Sequence, residues 1–296
     1  MSQVKLQEMW KRQPLAGMVA SEVAITVSIE WLARHAQLTL GAILVYRSLL
    51  ALALLALMVR PRRVEWTPRA PELALARVVT GGLTFVGWFG AIALLSGRVT
   101  QAVLLLDALL LAYVRGRHRD YERRTLLLLA AALILFAAQA VREPGTVLHA
   151  GRGAVFLLIA LASRAATYKV WERAQGKQEH LFWLIAPALV GAVLGGLALS
   201  AAMHTPLEPL APRMWLIMLA VALVGLSGYF YMNIVMSQLG AFYTRVVELW
   251  QVPILWLIHL ASAQAKFDIA QGALGALVAA AAAYAYVRHR RQNDAA

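Results

Sequence analysis

The chain has 296 residues, 61% of them hydrophobic and only 15% Asp, Glu, Lys or Arg, with a net charge of +13 and no cysteine. Soluble domains carry about 25% charged residues, so this is the composition of a membrane protein. The lack of thiols excludes disulfides, thiolate zinc sites, iron–sulfur clusters and cysteine catalysis. The basic residues punctuate the ends of apolar runs rather than gathering on one soluble element, which excludes a nucleic-acid surface.

Met1 to Gln13 is polar, and the first apolar run has no small-residue cleavage pattern after it, so no cleavable signal is expected. A helix needs about 20 residues to cross a hydrocarbon core about 30 Å thick. Runs of that kind lie at about 14–33, 37–59, 73–96, 99–114, 125–142, 152–171, 180–202, 213–236, 239–260 and 267–287. The fourth and fifth are short. All are continuously apolar rather than alternating, which predicts helices and not a barrel. The connections leave no room for a soluble domain.

With ten spans and a cytoplasmic N-terminus, the inner segments hold seventeen Lys and Arg, concentrated at 5–12, 60–69, 115–124, 173–177 and 288–291. The outer connections hold six: Arg34, Arg98, Arg142, Arg152, Arg213 and Lys266. That bias orients a bacterial-type inner-membrane protein with both termini in the cytoplasm. Ten spans divide into five plus five, residues 1–145 and 146–296, and an odd number per half requires the halves to insert in opposite senses. The expected fold is therefore all-α, ten transmembrane helices as two inverted five-helix repeats, with a binding site at the midplane. Thr100–Tyr113 and Arg245–Ile258, each after a short turn, occupy equivalent places in the two halves.

Six charges fall near mid-depth: Glu22, Arg47, Asp107, Arg164, Arg245 and Glu248. Each costs about 2.5 to 3.5 kcal/mol at the bilayer centre on insertion scales, so they need a common polar interior. Arg245 and Glu248, three apart on one helix face, are spaced either to pair within their own span or to face the shared interior with Asp107. Glu22, Arg47, Asp107 and Arg164 stand on four different helices and are expected to converge on a cavity. Arg77 and Lys169 lie about four residues inside cytoplasmic ends and are expected to snorkel. Glu30 and Arg34 read as a surface ion pair. Trp88, Tyr168 and Trp250 are the candidate cavity walls. The glycines at 81, 82, 87, 90, 191, 195, 225 and 228 read as close helix packing, and Pro187 and Pro253 as tolerated bends. The sequence contains no HExxH, Walker loop or nucleophile elbow, and its histidines are scattered; no metal, cofactor or catalytic residue is expected.

Three segments carry a family resemblance. The second span reads Leu40–Val45, then Tyr46-Arg47-Ser48-Leu49-Leu50-Ala51; the sixth carries Arg164-Ala165-Ala166-Thr167-Tyr168; the ninth runs from Val246 to Trp256 through Gln251-Val252-Pro253. In these and in its spacing, the chain resembles the drug/metabolite transporter superfamily, in particular the ten-helix EamA-type exporters. Asp107-Ala108 replaces that family's proline region, its "GE" pair is missing, and Glu22 stands where an aromatic or small residue is usual. The resemblance implies the fold and an exporter, but no family-typical substrate.

Arginine suits carboxylates and phosphates, and a buried acid offers a counter-charge for an amine or a site for a coupling proton. Two central arginines with two acids suit a small zwitterionic or anionic metabolite such as an amino acid, with Glu22 or Asp107 as proton carrier. The alternatives are a flippase for a phosphate-bearing lipid head group, which requires a lateral opening lined by arginine, and a membrane-embedded transferase, which requires polar residues clustered at one face.

Overall fold

The computed structural model describes residues 14–58, 67–95, 97–115, 123–132, 150–262 and 269–293. Its helices in chain order are α1 (Pro14–Arg34), α2 (Leu40–Met58), α3 (Pro71–Leu95), α4 (Gly97–Val103), α5 (Leu105–Arg115), α6 (123–132), α7 (Ala150–Gly176), α8 (Leu181–Ala202), α9 (Pro212–Glu248), α10 (Gln251–Ala261) and α11 (Ile269–Asn293). No strand occurs among the described residues. Local chemistry sets several starts: Pro71 and Pro212 open their helices, where the missing N–H is harmless. At α8, His180 Nδ1 accepts the Phe182 N–H at 3.2 Å.

Six helical stretches among the described residues are long and apolar enough to cross a membrane: α1, α2, α3, α7, α8 and the α9–α10 run. Large apolar side chains such as Leu57, Leu127, Leu158 and Leu216 are exposed on the outside, a surface suited to lipid and not to water. The protein is a multi-pass, all-helical membrane protein.

The core lies where α3 packs on α7 and α8, α1 on α9, and α2 on α8 and α9. Small residues make these approaches possible. Gly82 and Gly191 bring two backbones together; a Cβ on Gly191 would stand 1.9 Å from the Val78 carbonyl oxygen. Elsewhere Gly87 faces Ala160, Gly228 faces Ser21, and Gly225 leaves room for Arg47. Since Gly17 packs on Tyr231 and Ser21 on Gly228, α1 and α9 run antiparallel.

Three predicted runs differ from plain spans. The fourth is two helices, α4 and α5, broken at Leu104. The eighth and ninth join in α9, which turns at Gly240 with φ 76° and ψ 170°, a conformation L side chains rarely adopt, and the ninth breaks again at Leu249–Trp250. Of the fifth, only its first part is α6; the rest, like the division near residue 145 and both chain ends, lies outside the described residues.

Candidate functional site

Each broken helix delivers charge to the centre from its break. Asp107 stands in the first turn of α5 and Arg245 in the last turn of the limb ending at Glu248, each with the sign its helix end favours. At the break the Leu104 carbonyl accepts the Asp107 N–H at 3.2 Å and also Arg245 Nη2 at 3.0 Å. A side chain distant in sequence thus adds a second donor to the interrupted backbone.

Four charges close into one network. Arg164 Nε donates to Asp107 Oδ2 at 3.0 Å, and Arg245 Nε donates to Oδ1 of the same carboxylate. Arg164 Nη2 and the Tyr168 hydroxyl donate to the two oxygens of Glu248, and Arg245 Nη1 lies 3.2 Å from Glu248 Oε2. All four charged side chains are buried. Two acids and two bases sum to zero, which is how such groups survive away from water. The Arg164 guanidinium also lies 5.1 Å from the Trp88 ring.

Arg47 and Glu22 stand outside that network. Arg47, 1% exposed, is held by the rings of Phe85 and Phe89 at 5.0 and 5.2 Å, and its Nε and Nη1 have no hydrogen-bond partner. Glu22 is buried as well, with Oε2 unpartnered. Both line one cavity with Thr84, Trp88, Arg164, Thr167, Tyr168, Trp171, Gly225, Tyr229 and Glu248. The Thr84 and Thr167 hydroxyls lie 3.1 Å apart in its wall. The cavity measures about 50 Å³, room for a few waters and too little for an amino acid. It is occluded.

The structure thus brings Glu22, Arg47, Trp88, Arg164, Tyr168, Asp107, Arg245 and Glu248 together. Trp250 is elsewhere. It lies in the helix break, is 36% exposed, and lines an apolar groove of about 840 Å³ between α1, α10 and α11. Arg77 does not snorkel: it is 1% exposed, stacks 4.6 Å from the Trp171 ring, and donates through Nε and Nη2 to the Leu184 carbonyl. Its depth along α3 made the cytoplasmic surface look reachable, but α8 packs across the route. Glu30 does pair with Arg34 at 3.2 Å, yet it is 9% exposed and also accepts the Gly97 N–H. Trp171, stacked on Tyr229 with centroids 5.5 Å apart, forms a wall that nothing in its local sequence announced. Among the described residues no group of three or more His, Asp or Glu is placed to hold a metal.

Fold and site together define a multi-pass helical membrane protein with a buried, charge-lined cavity. A solved structure described as "Crystal structure of protein" is similar in fold, with a TM-score of 0.59 over 93% of this chain and 99% of that one, at 19% identity. No family model and no curated protein matches the chain.

Proposed function

We propose that this protein is an inner-membrane secondary transporter, not an enzyme, that exports a small zwitterionic metabolite such as an amino acid. It works by alternating access of two inverted five-helix halves, residues 1–145 and 146–296, with both termini cytoplasmic. One observation carries the reading: the cavity presents a guanidinium and a carboxyl group, Arg47 and Glu22, each with polar atoms that no protein group satisfies. Buried polar atoms are nearly always paired, and an amino acid supplies a carboxylate for the first and an ammonium for the second.

The packing supports the inverted halves. Exchanging the predicted first five spans for the second five turns the α3–α7 contact into α9–α1, the α3–α8 contact into α9–α2, and maps α2–α8 onto itself. The break at Leu104 and the break at Leu249–Trp250 fall at matching places in Thr100–Tyr113 and Arg245–Ile258. Discontinuous helices at the midplane are a recurrent feature of transporters. Because both Asp107 oxygens accept from arginines, the coupling proton is assigned to Glu22.

Against the lipid-flippase alternative stands the lateral groove beside α1, whose walls are Val19, Val23, Trp250, Ile254 and similar residues with no arginine. Against a transferase stands the mid-depth position of the charges. The test is a thermal-shift screen of purified protein against amino acids, nucleosides and phospho-compounds. Stabilisation by an amino acid that disappears in Arg47→Ala supports the reading; stabilisation confined to phospholipid head groups overturns it.

A further inference from the structure

Two carboxylates outside the cavity do the same job at matching places in the two halves. Glu30, near the end of α1, accepts the N–H of Gly97, the first residue of α4, at 3.0 Å. Glu172, near the end of α7, accepts the N–H of Ala241, the first residue after the Gly240 turn, at 3.2 Å. Each carboxylate is also paired with a cation on its own helix, Glu30 with Arg34 at 3.2 Å and Glu172 with Lys169 at 3.0 Å. Both are therefore held in place as charged acceptors for the start of a broken helix.

Each also stands near the far end of the other half's broken helix. His259, near the end of α10, places Nε2 3.3 Å from Glu30 Oε2. Leu111, on α5, shares a small cavity with Lys169, Glu172 and Gly240. The two acids stand at opposite ends of the molecule. Gln175, one turn beyond Trp171, bonds Asn233, and Tyr231 packs on Gly17, so Glu172 is level with the beginning of α1. Glu30 lies thirteen residues further along α1, about 20 Å at 1.5 Å per residue. The charged cavity lies between them, and both contacts are made while it is too small for an amino acid.

We propose that Glu30 and Glu172 are paired positioning latches: each seals one end of the pathway by fastening the broken helices to its own half, and their alternate release opens the cavity to one side at a time. The inference rests on the alternating-access reading but not on the identity of the cargo. Releasing the Gly97 amide frees α4 at one end, and releasing the Ala241 amide lets the chain swing about Gly240 at the other. Either movement pulls on the segments that carry Asp107 or Arg245.

The chain's lack of cysteine makes a direct test simple. Thr84→Cys places one thiol in the cavity wall of the full-length protein, and a membrane-impermeant maleimide is applied from either side of sealed vesicles. Glu30→Gln, which removes the charge and keeps the shape, is expected to raise labelling about fivefold from the face nearer Glu30. Glu172→Gln is expected to do the same from the opposite face. Effects on the same face, or unchanged labelling in proteins that retain the parent's melting temperature, overturn the proposal. If Glu30→Gln fails to fold, Glu30→Asp, which keeps the charge but shortens the reach, carries the same test. Opposite-face labelling without binding of any amino acid keeps the latches and sinks the substrate reading, so the two failures are distinguishable.

Discussion

At Arg47 the rings of Phe85 and Phe89 lie against the guanidinium and leave Nε and Nη1 unpartnered. A hydrogen bond to a charged group contributes about 1.5 to 3 kcal/mol. Arg47→Ala is therefore expected to weaken binding of a carboxylate-bearing cargo by about 10- to 100-fold, read by calorimetry in detergent, and Arg47→Lys to recover only part because it lacks the planar fork. Glu22→Gln is expected to keep exchange of bound cargo while abolishing accumulation driven by a pH gradient in reconstituted vesicles. Retained accumulation would remove Glu22 from coupling. Asp107 behaves differently, since its two oxygens hold two arginines. Asp107→Ala leaves those cations facing one carboxylate and is expected to destabilise the fold by about 3 to 5 kcal/mol. Thermal unfolding checks this, and Arg245→Met in the same chain should restore part of the loss, because the two residues act as one unit.

Among the elements, the tightest contact is α3 against α8. Gly191→Ala would drive a methyl group into the Val78 carbonyl, a backbone atom that yields only if the helices part. The expected cost is about 1 to 3 kcal/mol, whereas Gly151→Ala, with nothing within 4 Å, should leave the melting temperature at or above that of the parent. The glycines that make this packing were legible as small residues at helical spacing, and so were the long spans, because lipid demands uninterrupted apolar runs. The break at Leu104 was not: it lies between Val103 and Leu105 with no glycine or proline beside it, and the Arg245 donor that meets its carbonyl comes from a distant part of the chain. The break at Leu249–Trp250 did have a local cue in Pro253, which has no N–H to give the Leu249 carbonyl four residues back. Gly240 carried a hint, a glycine at the head of a run, but its φ is a property of the fold.

For the whole molecule, the proposed orientation rests on the bias of basic residues between the connections of the predicted spans. A reporter fused after Ala296 is expected to be active only when it requires the cytoplasm; activity in a periplasm-dependent reporter would invert the assignment. The mid-depth charges announced a polar interior because lipid tolerates them nowhere else. Which of them pair and which stay unsatisfied was hidden. Arg245 and Glu248, three apart, do meet, but each also reaches partners on other helices. Glu30 was hidden for a related reason: Arg34 four residues away made it look complete on its own helix, while Glu172, beside Lys169, had nothing local to single it out.

The four-charge network has a consequence for biosynthesis. Its members are not shared evenly: Asp107 comes from the first half, and Arg164, Arg245 and Glu248 from the second. While the ribosome is still completing the chain, Asp107 has neither of its arginine partners, and a chain stopped after the first half would never acquire them. Expressed alone, residues 1–145 should therefore be cleared by membrane proteases, and co-expression of residues 146–296 should rescue them. The network acts as a completeness check on assembly, since neither half's share of it is electrically neutral until the other has arrived.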